Sequence, residues 1–195
     1  MQRELAQLII TRLIGTPNFS RLGGLVRTVS TTEKAATGAA IRYPATFDVT
    51  PAPAGQDPAS YTDFVPNSAE SGLLYLESGS LQHKGYTGGR SNFESRLTLV
   101  AWLNTPDAAA AASLSVESAA VTNILRRLLP LAIASNQGVF TQLTVKAGKI
   151  LGVEDNIFSR YTYRESANQY LLDPYTAFSI ELTSTYQIHP DCLPA

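Results

Sequence analysis

The sequence is poor in the residues that staple a fold or carry out catalysis. Its 195 residues include one cysteine, Cys192, and two histidines, His83 and His189. A lone thiol forms no internal disulfide, and a four-ligand zinc site would have to come from scattered residues. A Ser, His and acid triad needs an imidazole held between a nucleophile and a carboxylate, which leaves only those two histidines to supply it. His189 stands in "IHPDCLPA" beside Asp191 and Cys192, a set that suggests a metal or thiol site. The two prolines and the chain-end position read more simply as an exposed tail. No Glu-x-x-His or Cys-x-x-Cys pattern occurs. The chain is expected not to be an enzyme and to use no cofactor or metal.

Net charge and long apolar runs are also missing. A formal net charge of -1 gives no general electrostatic reason to bind nucleic acid, although a local patch stays open. No apolar run approaches the roughly 18 residues that a spanning helix needs. The start, "MQRELAQLIITRLIG", carries Arg3, Glu4 and Arg12 without a small-residue cleavage site, so it reads as an amphipathic helix and not as a secretory signal. The expected setting is a cytoplasm, or something assembled in one. No Lys or Arg lies between Arg42 and Lys84, whereas Asp57, Asp63 and Glu70 do.

What is present is a foldable chain, with 44% hydrophobic and 16% charged residues. Its length predicts a single α+β domain over residues 1–195, with a loop insertion at 50–72. The apolar spacing predicts a helix over Gln2 to Ile14, ended by Gly15 and Pro17. "GLVRTVSTTE" and "AAIRYPATFDV" predict a hairpin, with Pro44 suited to an edge or a bulge. Thr50 to Gly72 is rich in Pro, Ala and Ser, and its Tyr61 and Phe64 need a place to pack. It is either a surface insertion or an arm that orders against a neighbouring subunit.

"LLYLES" and "FESRLTLVAWLN" predict a second strand pair. In the latter, Phe93, Leu97, Leu99, Ala101 and Leu103 share one face, and the other face turns apolar at Val100 and Trp102, so both sides are expected to be covered there. Asp107 suits the cap of a short alanine-rich helix. Ser115 and Ser118 start a second one, carrying Val121, Ile124, Leu125, Leu128 and Leu129 up to Pro130. "VFTQLTVKA", "IFSRYTYRE" and "YTAFSIELTSTYQIH" read as three closing strands, and "VEDN" as a turn. A largely antiparallel sheet packed on two main helices follows.

The most patterned stretch is "LQHKGYTGGRSNFESRLTLVAWL". Its glycines precede a strand and no Gly-Lys-Ser/Thr follows, which is the wrong order for a phosphate-binding loop. Gly85, Gly88 and Gly89 suit a hairpin tip that needs positive φ. The tip offers His83, Lys84, Tyr86 and Arg90, a set suited to a protein contact or a phosphate backbone. Arg126 and Arg127 in "LRRLLP" read as a solvated helix edge, with a subunit or phosphate contact as the alternative.

The helix "MQRELAQLIITRLIG", the strand "FESRLTLVAWLNT", the helix "ESAAVTNILRRLLPLA" and the closing strand "DPYTAFSIELTSTYQI" together resemble, in order and spacing, a tail terminator protein of long-tailed bacteriophages. The resemblance implies a homohexameric ring in the virion, capping the tail tube and meeting neck and head-completion proteins while DNA passes through its lumen without specific binding. It also suggests that Asp57, Asp63 and Glu70 line that lumen, where like charge keeps DNA from sticking. Tyr61, Phe64, the hairpin tip and the paired arginines are the expected subunit or partner contacts. The rival expectations are another ring-forming neck, connector or tail tube component, and a small hydrolase or ligand-binding domain.

Overall fold

The computed structural model describes residues 1–34, 38–51, 60–105, 116–129, 132–133, 140–152, 155–171 and 175–188. Asp57, Asp107, Ser115, Pro130, Glu154 and the whole of "HPDCLPA" lie outside the described residues, whereas Asp155 of "VEDN" accepts the Gly152 N–H at 3.0 Å.

Helix α1, Gln2–Leu13, forms where the apolar spacing predicts it and buries Leu5, Ala6, Ile9, Ile10 and Leu13. Gly15 turns the chain away with a φ of 76°. Arg127, at the end of helix α2 (Val116–Leu128), donates to the carbonyls of Ile14 at 2.7 Å and Gly15 at 2.9 Å. It thereby satisfies acceptors that a helix end leaves open.

The strands are β1 (Arg21–Leu25), β2 (Arg27–Lys34), β3 (Ala40–Thr46), β4 (Val49–Thr50), β5 (Thr62–Asp63), β6 (Gly72–Thr87), β7 (Arg90–Leu103), β8 (Ala132–Ile133), β9 (Phe140–Gly152) and β10 (Thr176–Ile188). A seven-stranded sheet has the order β4-β1-β6-β7-β10-β9-β8, antiparallel throughout except for the β1–β6 pair. β2, β3 and β5 form a second, smaller sheet. The fold is α+β, as the pattern predicts.

One face of the large sheet receives both helices. Leu97, Leu99, Ala101 and Leu103 of β7 join Phe178, Ile180, Leu182, Tyr186 and Ile188 of β10 in that core. On the opposite face, Leu73, Tyr75, Val100, Trp102 and Ala177 form a second core with Val26 and Phe64. Trp102 is buried on that face and donates its indole N–H to the Tyr170 carbonyl at 2.6 Å. Burying a ring of this size contributes about 4–6 kcal/mol of transfer free energy before ordering costs.

Three strand expectations change. The "GLVRTVSTTE" run divides at Val26: β1 joins the large sheet and β2 the small one, so this stretch links two layers. "IFSRYTYRE" forms no strand. It makes one bridge, Thr162 with Arg42, and leads into the short helix α3 (Glu165–Asn168). Pro44 sits inside β3, the middle strand of the small sheet. Its carbonyl accepts the Phe64 N–H at 2.8 Å, and in an antiparallel ladder a residue's N–H points the same way as its C=O. The missing donor of Pro44 therefore faces the end of the two-residue strand β5, where the ladder stops.

The 50–72 stretch is anchored at its C-terminal end by β5 and Phe64. Phe64 is accommodated by Gly23, where a Cβ would come within 2.6 Å of the phenyl ring.

Candidate functional site

The β6–β7 hairpin runs much further than the two predicted strands, up to the pair Thr87 and Arg90. Gly88 and Gly89 close it with φ values of 58° and 76°, the double-positive signature of a two-residue type I′ turn. The sequence places this tip correctly, because only glycine and a few polar residues take that conformation at low cost.

Two features make the distal half of the hairpin a surface for contact. β1 pairs with β6 only up to Leu76, so among the described residues the outer edge of β6 beyond that point has no neighbouring strand. Helix α1 begins at the level of Ser78 and Ser95, where the Gln2 side chain accepts from Ser78 at 2.8 Å and donates to Ser95 at 3.1 Å. Past that level, the helix-side face of the hairpin carries Leu81, His83, Tyr86 and Phe93. Their shared side follows from the pairs Leu81 with Ser95, His83 with Phe93 and Tyr86 with Ser91.

An aromatic row starts at this face and runs into the core. Tyr86 lies 4.8 Å from His83, His83 lies 5.2 Å from Phe93, Phe93 stacks on Tyr186 at 5.8 Å, and Tyr186 meets Phe140 at 5.0 Å. Tyr86 is 75% exposed and Leu81 41%, whereas Tyr186 and Phe140 are buried. Burial, with a smaller contribution from Glu4, pushes the Tyr186 hydroxyl up to about 12. The outer end of the row is thus an aromatic surface backed by a rigid one.

The charged residues of the tip are arranged around it. Lys84 donates to Gln82 at 2.8 Å and lies 3.4 Å from Glu94, which also faces Arg96 at 3.7 Å. Arg90 is half-buried at the start of β7. The register of β6 shifts between Ser78 and Leu81 and again between His83 and Tyr86, so the free edge is broken twice. Bulges and an edge lysine hinder strand addition. A partner would therefore meet side chains here more readily than the backbone ladder.

The other expected contact residues fall elsewhere. Phe64 is fully buried in the second core and is not an interface residue, since it fills the space beside Gly23. Tyr61 is half-buried and lies against Phe47 with ring centres 3.7 Å apart. Arg127 is spent on the end of α1, while Arg126 is exposed beside it. Asp63 and Glu70 gather around Arg21: Glu70 is 3.3 Å from its guanidinium and accepts from Ser20 at 2.6 Å, and the Asp63 carbonyl accepts from Arg21 at 3.3 Å. The stretch without Lys or Arg is locally compensated by an arginine from β1.

Sequence reasoning missed a buried polar cluster on the opposite face. Glu77, only 4% exposed, accepts from the Tyr161 hydroxyl at 2.5 Å and pairs with Arg160 at 3.0 Å. Burial raises the Glu77 carboxyl, against the opposing pull of Tyr161 and Arg160. The buried hydroxyls of Tyr75 and Tyr163 belong to the same cluster, and neither has a well-formed hydrogen bond among the described residues. The only hint in the sequence was an acid in "LLYLES" among apolar residues.

Among the described residues, no three His, Cys, Asp or Glu side chains gather to hold a metal ion. No helix there is long and apolar enough to cross a membrane. No known protein-family model and no curated protein sequence matches the chain.

Proposed function

We propose that this chain is a structural subunit that assembles into a closed ring, and that the ring is the terminator of a long-tailed phage tail. In this reading it caps the tube within the virion and joins it to the neck and head-completion proteins. The observation that carries the assembly reading is the β6–β7 hairpin, which offers Leu81, His83 and Tyr86 beyond the reach of both α1 and β1. Aromatic residues set in a rigid frame are the usual anchors of protein interfaces, and a head-to-tail contact between identical subunits closes into a ring when its rotation permits. The terminator assignment rests on the order of the N-terminal helix, long central strand, second helix and closing strand, which here build one layer pair.

The test is the mass of the purified protein in solution, followed by negative-stain imaging with tail tube subunits of the same virus. The expected result is a particle six times the 21.0 kDa subunit mass that stops tube growth at one layer. Tubes lengthened by this chain itself would favour a tube protein instead. A stable monomer indifferent to tubes would overturn both readings.

A further inference from the structure

A groove of about 650 Å³ runs between helix α1 and β4, the strand at one edge of the large sheet. That volume has room for a bulky side chain with its flanks. Its apolar wall comes from Leu8 of α1, Val49 of β4 and Phe47, which is 38% exposed. Gly24 donates to the Asp48 carbonyl at 2.7 Å, and Arg3 clamps the Asp48 carboxylate with two bonds of 2.9 Å, so the groove is held open before anything enters it. The charged residues of the lining are Glu4 and Asp48, both acids. They pair with the Met1 amino group and Arg3, neither of which lines the groove. A carboxylate offers about four acceptor sites, so a further cation can join these pairs.

The hairpin tip is the counterpart in both shape and charge. Tyr86, at 75%, is the most exposed large hydrophobic side chain among the described residues. From Lys84 to Ser91 the chain carries two cations, Lys84 and Arg90, and no acid. Lys84 already meets Glu94 at 3.4 Å, which leaves Arg90 as the cation for the acids of the groove. An aromatic side chain flanked by arginine is the usual make-up of an interface anchor.

A chain cannot fill its own groove. Gly24, in the lining, lies between Leu22 and Leu25, which pair with Leu74 and Leu76 of β6. β6 then continues from Leu76 to Tyr86, roughly 30 Å at about 3.3 Å per residue. The occupant therefore comes from another molecule.

We infer that the hairpin tip of one copy seats Tyr86 in this groove of the next copy, with Arg90 against Glu4 and Asp48. The inference rests on the assembly reading above and supplies its contact. Because knob and groove are different surfaces, the contact is head-to-tail and repeats from copy to copy until it closes.

The test is disulfide trapping in the full chain, with Cys192→Ser to remove the only cysteine, Tyr86→Cys at the tip and Thr11→Cys at an exposed groove position. Mild oxidation is expected to give a covalent ladder up to the number of subunits in the particle, absent when either new cysteine stands alone. Tyr86→Ala, an exposed change that spares the fold, should raise the concentration needed for assembly about tenfold or more, and Tyr86→Phe much less. A ladder that stops at pairs would keep the docking, as two tips exchanged reciprocally, and defeat the closed ring. A particle of unchanged mass that neither cross-links nor responds to Tyr86→Ala would overturn the docking and leave the ring standing. Cross-links from Tyr86→Cys alone would set tip against tip and overturn it too, and a chain that stays monomeric at every concentration would end both readings.

Discussion

Glu77 is the costliest residue in the second layer, because a carboxylate held away from water must be neutralised or fully paired. Here the two bonds from Tyr161 and Arg160 offset only part of the desolvation, and the carboxyl stays raised above its ordinary 4.5. A folded-state value above the unfolded one means that the native state holds the proton longer. Stability from this group is therefore greatest below pH 4.5 and falls as pH rises through the window up to the raised value. Removing the charge while keeping an acceptor should relieve this. Glu77→Gln is expected to be neutral or slightly stabilising at pH 8 and to flatten the pH dependence above 4.5. Glu77→Ala should cost about 2–3 kcal/mol, since it strands the Tyr161 hydroxyl and leaves a cavity. Urea unfolding of both variants at pH 5 and pH 8 checks the pair; a Glu77→Gln protein that loses as much as Glu77→Ala would show that the Arg160 ion pair dominates.

Among the elements, the β6–β7 turn is the most local in its requirements. Gly89 takes a φ of 76° with nothing near its missing Cβ, so alanine there meets only the left-handed backbone penalty. Gly89→Ala should lower stability by about 1–2 kcal/mol, and Gly88→Asn by less, because asparagine tolerates that region. Thermal melts of the two variants would separate the backbone effect from any packing effect. Such local chemistry is what a sequence displays best. The glycine tip, the single-parity faces of β7 and β10, and the apolar stripe of α1 were all legible because each follows from neighbours along the chain. The segment around Tyr161 misled for a physical reason: its alternating aromatics reflect Tyr161, which donates to Glu77, and Tyr163 packing with Ala167 in a small cluster of their own, a one-sided packing that imitates strand alternation without a ladder. The division of the first strand at Val26 was hidden because both halves are good strand formers, and only the sheet each one joins tells them apart. The hollow lined by Arg21, Tyr43, Tyr61 and Tyr170 was invisible because only the tertiary fold brings these residues together.

At the scale of the whole molecule, one sheet is shared by two unequal layers. The helix side gathers most of the buried apolar residues, while the other side rests on a small cluster around Trp102 and Phe64, plus the Glu77 group. The two layers are nevertheless bound to the same strands: Leu73 and Tyr75 alternate with Leu74 and Leu76 along β6, as Val100 and Trp102 do with Leu99 and Ala101 along β7. Losing one layer exposes the back of the other, so the chain should unfold in a single transition. Trp102, the only tryptophan, makes this measurable, because its fluorescence reports the second layer while far-UV circular dichroism reports the helices. In the unmodified protein the two thermal curves should coincide. Glu77→Ala weakens only the latch between β6 and the Tyr161 segment, so there the fluorescence curve should move ahead of the dichroism curve by several degrees, given about 2–4 °C per kcal/mol for a chain of this size. Coincident curves in that variant as well would mean that the small layer has no stability of its own and that the sheet transmits every loss to the helices.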